Sequence, residues 1–337
     1  MDSGGTHSGG RSRRDFLKGG VMAAAGVAAG LLSGCNNEEA CDAAPRATGA
    51  ALKPDAEPSG FRFVHLTDIH VQPQLRAGEG FRKCLAAVLE LKPRPDFILT
   101  GGDLVMDLLA ADEPRSKVLF DLFQSICRDS DIPFGHCIGN HDILGWSKRT
   151  VAPTHALYGK KMFQERLNLE KTTYSFDHKG WRIAVVDDIL PATDPELDYE
   201  GGFSEADLDW LNRDLGAAGE RPKLVCTHIP VVSSVIFRAF NAAKPGAQNI
   251  ADRAATCGNA GAILKVLKDH RVNLVLSGHL HENERIDYQG TTHIEDGAVC
   301  GAWWRGPNNG SPEGFGIIDA KADGTFEHQY HAYGWNA

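Results

Sequence analysis

After residue 60, short apolar runs rich in β-branched residues alternate with segments of helical period. Phe61–Thr67, Asp96–Thr100, Pro133–Ile138, Lys223–Thr227 and Asn273–Ser277 are apolar runs of strand length. Tyr174–Asp177 and Trp181–Asp187 read as a hairpin turning through His178-Lys179-Gly180. Phe81–Leu91 places Phe81, Leu85, Val88 and Leu89 on one side of a helix, and Val118–Cys127 and Ala262–Leu267 also read as helical. Ser204–Leu215 opens with Ser204 and has Asp207 three residues on, the spacing of a capping box, with Leu208 and Leu211 on one face. Toward the C-terminus strands follow one another, at Glu284–Tyr288, Thr291–Glu295, Phe315–Asp319 and Thr325–Tyr330. This order predicts an α/β domain with one mixed sheet or two sheets covered by helices. No internal repeat is visible, and no linker after residue 60 is long enough to announce a second domain.

The polar residues fall where these runs end. Five strands each stop at a turn carrying His, Asp or Asn: Asp68/His70, Asp103, Asn140/His141, His228 and His279/His281. In an open α/β sheet the ligand site lies beyond the carboxyl ends of the strands, so five such corners point into one basin. Glycines precede three of them (Gly102, Gly139, Gly278), as turns needing positive φ would require. Any single corner is equally an Asx-turn, a Gly-Asp turn or an ordinary core histidine. Only the set suggests metal-ligand chemistry.

The composition is that of a globular chain: 337 residues, 42% hydrophobic and 23% charged, with 35 Lys+Arg against 44 Asp+Glu and a net charge of −9. That excludes a disordered or collagen-like chain and a multi-span membrane protein. It also argues against coating a nucleic-acid duplex, for which no basic excess exists. The charge is uneven. Residues 1–34 carry Arg11, Arg13, Arg14 and Lys18 against Asp2 and Asp15, leaving 31 basic and 42 acidic residues, a net of −11, in the remainder.

Behind Arg13-Arg14-Asp15-Phe16-Leu17-Lys18, the Gly/Ala-rich run from Gly19 to Leu32 spans about 14 residues, too short to cross a bilayer. This segment resembles a twin-arginine export signal, and Leu32-Ser33-Gly34-Cys35 resembles a lipobox. The expectation is an exported protein, periplasmic or on the cell surface, anchored through lipid on Cys35. Residues 35–60, polar and Ala/Pro/Gly-rich, read as a flexible tether or an N-terminal brace. Beyond Cys35, seven cysteines without CxxC spacing argue against a disulfide framework or a zinc knuckle; most sit among apolar neighbours as small core residues.

Taken in order, Asp68-x-His70, Gly102-Asp103, Gly139-Asn140-His141-Asp142, His228 and Gly278-His279-x-His281 resemble the calcineurin-like metallophosphoesterase superfamily, over about residues 61–282. The resemblance implies a four-layer α/β/β/α sandwich, two mixed sheets flanked by helices, for residues 61–337. It also implies two divalent metal ions (Mn, Fe, Zn or similar). Asp68, His70 and His281 would hold one, Asn140, His228 and His279 the other, and Asp103 would bridge both. A hydroxide between the ions would attack phosphorus in line. His141 would not be a ligand but would protonate the leaving alkoxide or neutralise a phosphoryl oxygen. Asp142 would either orient His141 or brace the turn. His70 stands where purple acid phosphatases carry Gly, and Met106 where they carry Tyr. Leu104–Leu108 lacks the Asp-Arg-Gly turn of protein Ser/Thr phosphatases, and His141 stands where lipid A precursor hydrolases carry Arg. What remains looks like the small branch that includes class III cyclic-nucleotide phosphodiesterases.

Four further residues are candidates for substrate contact: Trp146, Arg149, Trp303 and Arg305, an Arg with an aromatic being suited to hold phosphate and stack a ring. Surface packing of the tryptophans, Trp304 included, beside a solvated Arg is the plainer reading. Val231–Ala255 reads as a lid or a short insertion. The expected activity is hydrolysis of a small phosphodiester, a cyclic nucleotide among them. The alternatives are a phosphomonoesterase, a phospholipid head-group phosphodiesterase, and a non-catalytic metal-binding lipoprotein on the same scaffold.

Overall fold

A computed structural model describes residues 59–147, 150–195, 197–234 and 253–337. The export signal, most of the tether, Arg149 and most of the lid segment lie outside the described residues. In chain order the elements are β1 (Phe61–Leu66), α1 (Ala77–Glu90), β2 (Phe97–Gly101), α2 (Glu113–Cys127), β3 (Phe134–Cys137), α3 (Lys161–Leu167), β4 (Tyr174–His178) and β5 (Trp181–Val185). There follow β6 (Ile189–Pro191), β7 (Tyr199–Gly201), α4 (Glu205–Ala217), β8 (Lys223–Cys226), α5 (Ala260–Asp269) and β9 (Leu274–Ser277). β10 (Glu284–Tyr288), β11 (Thr291–Glu295), β12 (Gly314–Ala320) and β13 (Phe326–Ala332) complete the fold.

Two large sheets result, in the orders β13-β12-β1-β2-β3 and β10-β11-β9-β8-β5-β4, with β6-β7 as a separate ribbon. Both are mixed. β1, β2 and β3 run parallel, as do β5, β8, β9 and β11, while hairpin strands close the edges antiparallel. The central strands are apolar on both faces, which is why they read as continuous hydrophobic runs. Alternate residues serve two cores. Phe61 and Phe63 of β1, Leu224 and Cys226 of β8, and Leu274 and Leu276 of β9 pack between the sheets. Val64, Leu66, Val225 and Val275 face outward with Phe81, Leu85, Phe120 and Phe123 of α1 and α2, and with Leu211, Leu215, Ile263 and Leu267 of α4 and α5. This is the helix–sheet–sheet–helix sandwich that the resemblance implies, and the two-sheet form of the α/β domain that the sequence pattern predicts.

Helix boundaries follow capping chemistry. Ser204 accepts the Asp207 N–H at 3.0 Å as the N-cap of α4, and Asp112 accepts the Arg115 N–H at 2.9 Å ahead of Pro114 in α2. α2 therefore starts earlier than its apolar period indicates. One polar cluster lies between the sheets: buried His65 donates from Nδ1 to Asp296 Oδ2 at 2.8 Å, and His328 donates to Oδ1 at 2.8 Å. Six described cysteines are free and buried, as small core residues. Among the described residues no helix is long and apolar enough to cross a membrane.

Candidate metal centre

The turns that leave β1, β2, β3, β8 and β9 bring seven side chains together. His70 Nε2 stands 3.4 Å from Asp103 Oδ2, 3.2 Å from His281 Nε2 and 3.8 Å from Asp68 Oδ1, while His281 Nε2 lies 3.3 Å from that same Asp68 oxygen. Across Asp103, His228 Nε2 stands 3.3 Å from Oδ2 and 3.0 Å from Asn140 Oδ1, and His279 joins His228 and Asp103 with donor atoms within 4.8 Å of one another. Asp103 Oδ2 thus lies between the two groups. Donors about 2.1 Å from one ion at 90–109° stand about 3.0–3.4 Å apart, the range into which His70–His281, His70–Asp103, Asp68–His281, His228–Asp103 and His228–Asn140 fall.

Three of the four histidines have their second ring nitrogen fixed, while buried His70 Nδ1 has no hydrogen-bond partner. His228 Nδ1 donates to Gly101 O at 2.8 Å, His281 Nδ1 to Gly301 O at 2.6 Å, and His279 Nε2 to Ala254 O at 2.8 Å. Each carbonyl selects the tautomer whose other nitrogen offers a lone pair inward, the usual outer support of a metal-ligating histidine. Asp68 Oδ2 is taken by the Thr67 hydroxyl at 2.6 Å and the His279 N–H at 2.9 Å, whereas buried Oδ1 has no hydrogen-bond partner. That orphaned oxygen, aimed at the His70–His281 pair, fits a divalent cation.

Electrostatics agree with the geometry. Burial alone would raise Asp103, yet the imidazoles of His228 and His141 hold it well below the usual carboxylate range. Asp68 is likewise held down against burial by His281. Burial pushes His70 down to about 4 and His279 to about 3, keeping both as neutral donors. Burial opposes protonation of His228 too, but Asp103 pulls it up to about 10. The basin therefore has a negative potential that favours positive charge.

The backbone is strained where it carries ligands. Asp68 (φ 53°), His70 (42°), Asp103 (52°), His279 (76°) and His281 (59°) all lie in the left-handed region, which costs non-glycine residues free energy and clusters at functional sites. Of the corner glycines, Gly102 has the positive φ (96°) anticipated for a turn. Gly139 and Gly278 serve a different need. A Cβ on Gly139 would lie 2.2 Å from Asp103 N and Oδ1, and one on Gly278 would lie 2.0 Å from Thr67 Oγ1. They are glycine because neighbouring corners touch there.

His141 lies beside this cluster. Its N–H donates to Asp103 Oδ1 at 2.7 Å, and its half-buried ring is 4.9 Å from that of His70. Its Nδ1 is 3.3 Å from Asp107 Oδ1, an ion-pair distance to a carboxylate that the sequence reading passed over. Asp142 does not orient it. Its Oδ1 accepts from Leu104 N at 2.9 Å and Val105 N at 3.3 Å, and its Oδ2 accepts from Gly139 N at 3.0 Å, which ties the β3 turn to the β2 turn. Of the two roles open to Asp142, the structure selects the turn brace. Buried Asp188, also missed, does the same for β8, accepting His228 N at 3.3 Å and Ile229 N at 2.7 Å. Its signal was present: Val185-Val186-Asp187-Asp188 is a sixth strand end with a polar corner. Cys300, which the sequence reading did not single out, has its Sγ 3.9 Å from His281 Nδ1 and within donor range of the His70–His281 pair.

The substrate candidates separate. Trp303 is 37% exposed, with its ring 4.5 Å from that of His281 and 6.1 Å from that of His70, at the mouth of the cluster. Trp304 is buried and donates from Nε1 to His70 O at 3.0 Å. Trp146, partly buried, packs against the core with Lys160 Nζ 5.8 Å over its ring. Arg305 lines a separate pocket with Glu313 and Trp335. Arg149 lies outside the described residues.

Known proteins bear on this arrangement. The chain is 24% identical to a 3′,5′-cyclic-nucleotide phosphodiesterase of Nostoc sp., across 78% of this chain and 89% of that one. It is 26% identical to the serine/threonine-protein phosphatase CPPED1 of Bos taurus, across 64% of this chain and 63% of that one. Its fold is similar to that of GAP50, the anchor in the inner membrane complex of Plasmodium, with a TM-score of 0.52, 17% identity and coverage of 82% and 85%. Residues 61–283 match the calcineurin-like phosphoesterase family model. The match takes in every one of the converging side chains, and the chain belongs to the calcineurin-like phosphoesterase family.

Proposed function

We propose that the chain is a dinuclear-metal phosphodiesterase acting on a small phosphodiester, cyclic nucleotides among them. The observation that carries this reading is Asp103 Oδ2, 3.4 Å from His70 Nε2 on one side and 3.3 Å from His228 Nε2 on the other. Asp68, His70 and His281 would hold one divalent ion, Asn140, His228 and His279 a second, and Asp103 both. Bound there, the ions would supply Lewis acidity, an activated water at neutral pH and a clamp on the phosphoryl oxygens. The rest falls to the chain. The Asp107 carboxylate holds His141 Nδ1, leaving Nε2–H to donate to the departing alkoxide. Burial resists the charged form of His141, while the carboxylates of Asp103 and Asp107 favour it. The exposed Trp303 ring offers a face on which a base or sugar ring stacks.

Preference for a diester rests on two supports. One is the likeness to a cyclic-nucleotide phosphodiesterase. The other is charge: no described Lys or Arg hydrogen bonds or ion pairs with the ligand side chains, so little is set aside for the extra charge of a monoester. The signal-like N-terminus supports export by the twin-arginine route and attachment through Cys35.

The test is hydrolysis of bis(p-nitrophenyl) phosphate and 3′,5′-cyclic AMP beside p-nitrophenyl phosphate by manganese-loaded protein, with His141→Ala as control. A diester kcat/KM at least about tenfold above the monoester value, lost in the variant, is expected. Monoester preference would overturn the diester assignment, and metal-loaded protein inert on all three would overturn the enzymatic one.

A further inference from the structure

One short loop serves one half of the metal centre. Beyond β11 the chain returns beside the end of β1, where Val299 N–H donates to Thr67 O at 2.9 Å and Cys300 N–H to Asp68 O at 3.2 Å. Gly301 O accepts from His281 Nδ1 at 2.6 Å, and Trp304 Nε1 donates to His70 O at 3.0 Å. Asp68, His70 and His281 are thus each tied to residues 300–304. His228 is held instead by Gly101 O and Asp188, and His279 by Ala254 O and Asp68. Among the described residues none of Asn140, His228 and His279 hydrogen bonds with this loop. The loop keeps a strained shape: Trp303 (φ 51°) and Trp304 (φ 66°) follow one another in the left-handed region, and Trp304 N–H closes the turn on Cys300 O at 2.7 Å. Its anchor is the buried Trp304 ring. That ring fills the space over Gly80 of α1, where a Cβ would lie 2.2 Å from Cζ3, and Trp335 meets it edge-on at 5.9 Å.

His70 has particular need of such an anchor. Its buried Nδ1 has no hydrogen-bond partner, so no carbonyl fixes its ring from behind as happens for His228, His279 and His281. Its aim depends on its backbone, which sits at φ 42° and is pinned at both ends, the N–H on Asp103 O at 2.9 Å and the C=O by Trp304. We infer that Trp304 is a positioning residue for one ion of the pair: its indole N–H and buried ring set the aim of His70, and with it the affinity of the Asp68–His70–His281 side, and leave the Asn140–His228–His279 side unaffected. The inference rests on the dinuclear reading above. Outer supports of metal-ligating histidines change affinity about 10- to 100-fold when removed.

Calorimetric titration of the full chain with manganese tests it in two backgrounds. His279→Ala leaves the Asp68–His70–His281 side intact, and His281→Ala leaves the other. Trp304→Phe keeps an aromatic ring over Gly80 and removes the N–H. It should weaken manganese binding about tenfold or more in His279→Ala and less than about twofold in His281→Ala. Gly80→Ala presses on the same ring from α1 and should give the same asymmetry, which keeps the test open if Trp304→Phe misfolds; thermal melting of the metal-free proteins reports folding. Equal weakening on both sides, as a general loosening of the structure would give, would overturn the inference. So would no weakening on either. A wild-type chain that binds one ion would refute the dinuclear reading alone if Trp304→Phe weakened that ion, and both readings if it did not.

Discussion

Replacing Asp142 separates a structural brace from a catalytic helper. Its carboxylate is fully buried and accepts three backbone N–H groups, from Leu104, Val105 and Gly139. Asp142→Asn keeps one oxygen for Leu104 and Val105 but turns an NH2 toward the Gly139 N–H, donor against donor. Losing that bond and leaving a buried N–H without an acceptor costs about 2–3 kcal/mol. For a domain of this size about 1 kcal/mol moves Tm by about 2–4 °C, so the variant should melt about 4–12 °C lower. Asp142→Ala orphans all three amides at about 1–3 kcal/mol each, comparable with the whole stability of many domains, and should yield little folded protein. Thermal melting by circular dichroism, with bound manganese and steady-state kinetics on the same samples, reads the effect. An Asp142→Asn protein that melts within about 1 °C of wild type yet loses kcat would refute the brace and restore the view that Asp142 orients His141.

Other substitutions test neighbouring parts of the account. Gly278→Ala would set a methyl 2.0 Å from Thr67 Oγ1 and 2.3 Å from Asp68 Oδ2, so elemental analysis should find less than full metal occupancy and activity should fall more than about tenfold. Asp107→Asn should lower kcat about 10- to 100-fold with KM little changed, because it frees the His141 ring without touching a ligand; an unchanged kcat would remove Asp107 from the mechanism. Stability should depend on pH through the buried His65–Asp296 pair. Burial resists charge on His65, but the Asp296 hydrogen bond raises it to about 9; burial also resists charge on Asp296, yet His328 and His65 lower it to about 2. The raised histidine stabilises fully below about 6.5 and loses this as pH climbs through 9, while the lowered carboxylate stabilises above about 4 and fails as pH falls toward 2. Tm should therefore fall between about pH 6.5 and 9, and less steeply in His65→Gln; parallel curves would contradict the assignment.

The parts of this molecule that could be read in advance are those where one physical requirement dominates. Strands β1, β2, β3, β8 and β9 are apolar on both faces and end at polar turns, so both the strands and the ligands beyond them stand out. Where two requirements compete, the pattern misleads. α1 begins at Ala77, ahead of the predicted Phe81, because Gly78 and Gly80 are poor helix formers that hide its first turn from the sequence pattern. Gly80 is there because Trp304 packs on it; a Cβ would lie 2.2 Å from Cζ3 of that ring. α3 has only seven residues, too few for its period to register. Asp107 sits in a loop without periodicity, and its meeting with His141 depends on the β2 and β3 turns touching. Asp142 was ambiguous because a turn brace and a histidine partner call for the same residue type at the same place.

The central claim is that one carboxylate, Asp103, is shared by two metal ions. Protein stripped with EDTA and titrated with manganese, counting bound ions per chain against bis(p-nitrophenyl) phosphate turnover at each step, tests it most directly. The account predicts two ions per chain, with full activity only when both are bound, and fewer than two in Asp103→Asn. Full activity with a single ion, or undiminished activity in EDTA, would contradict it.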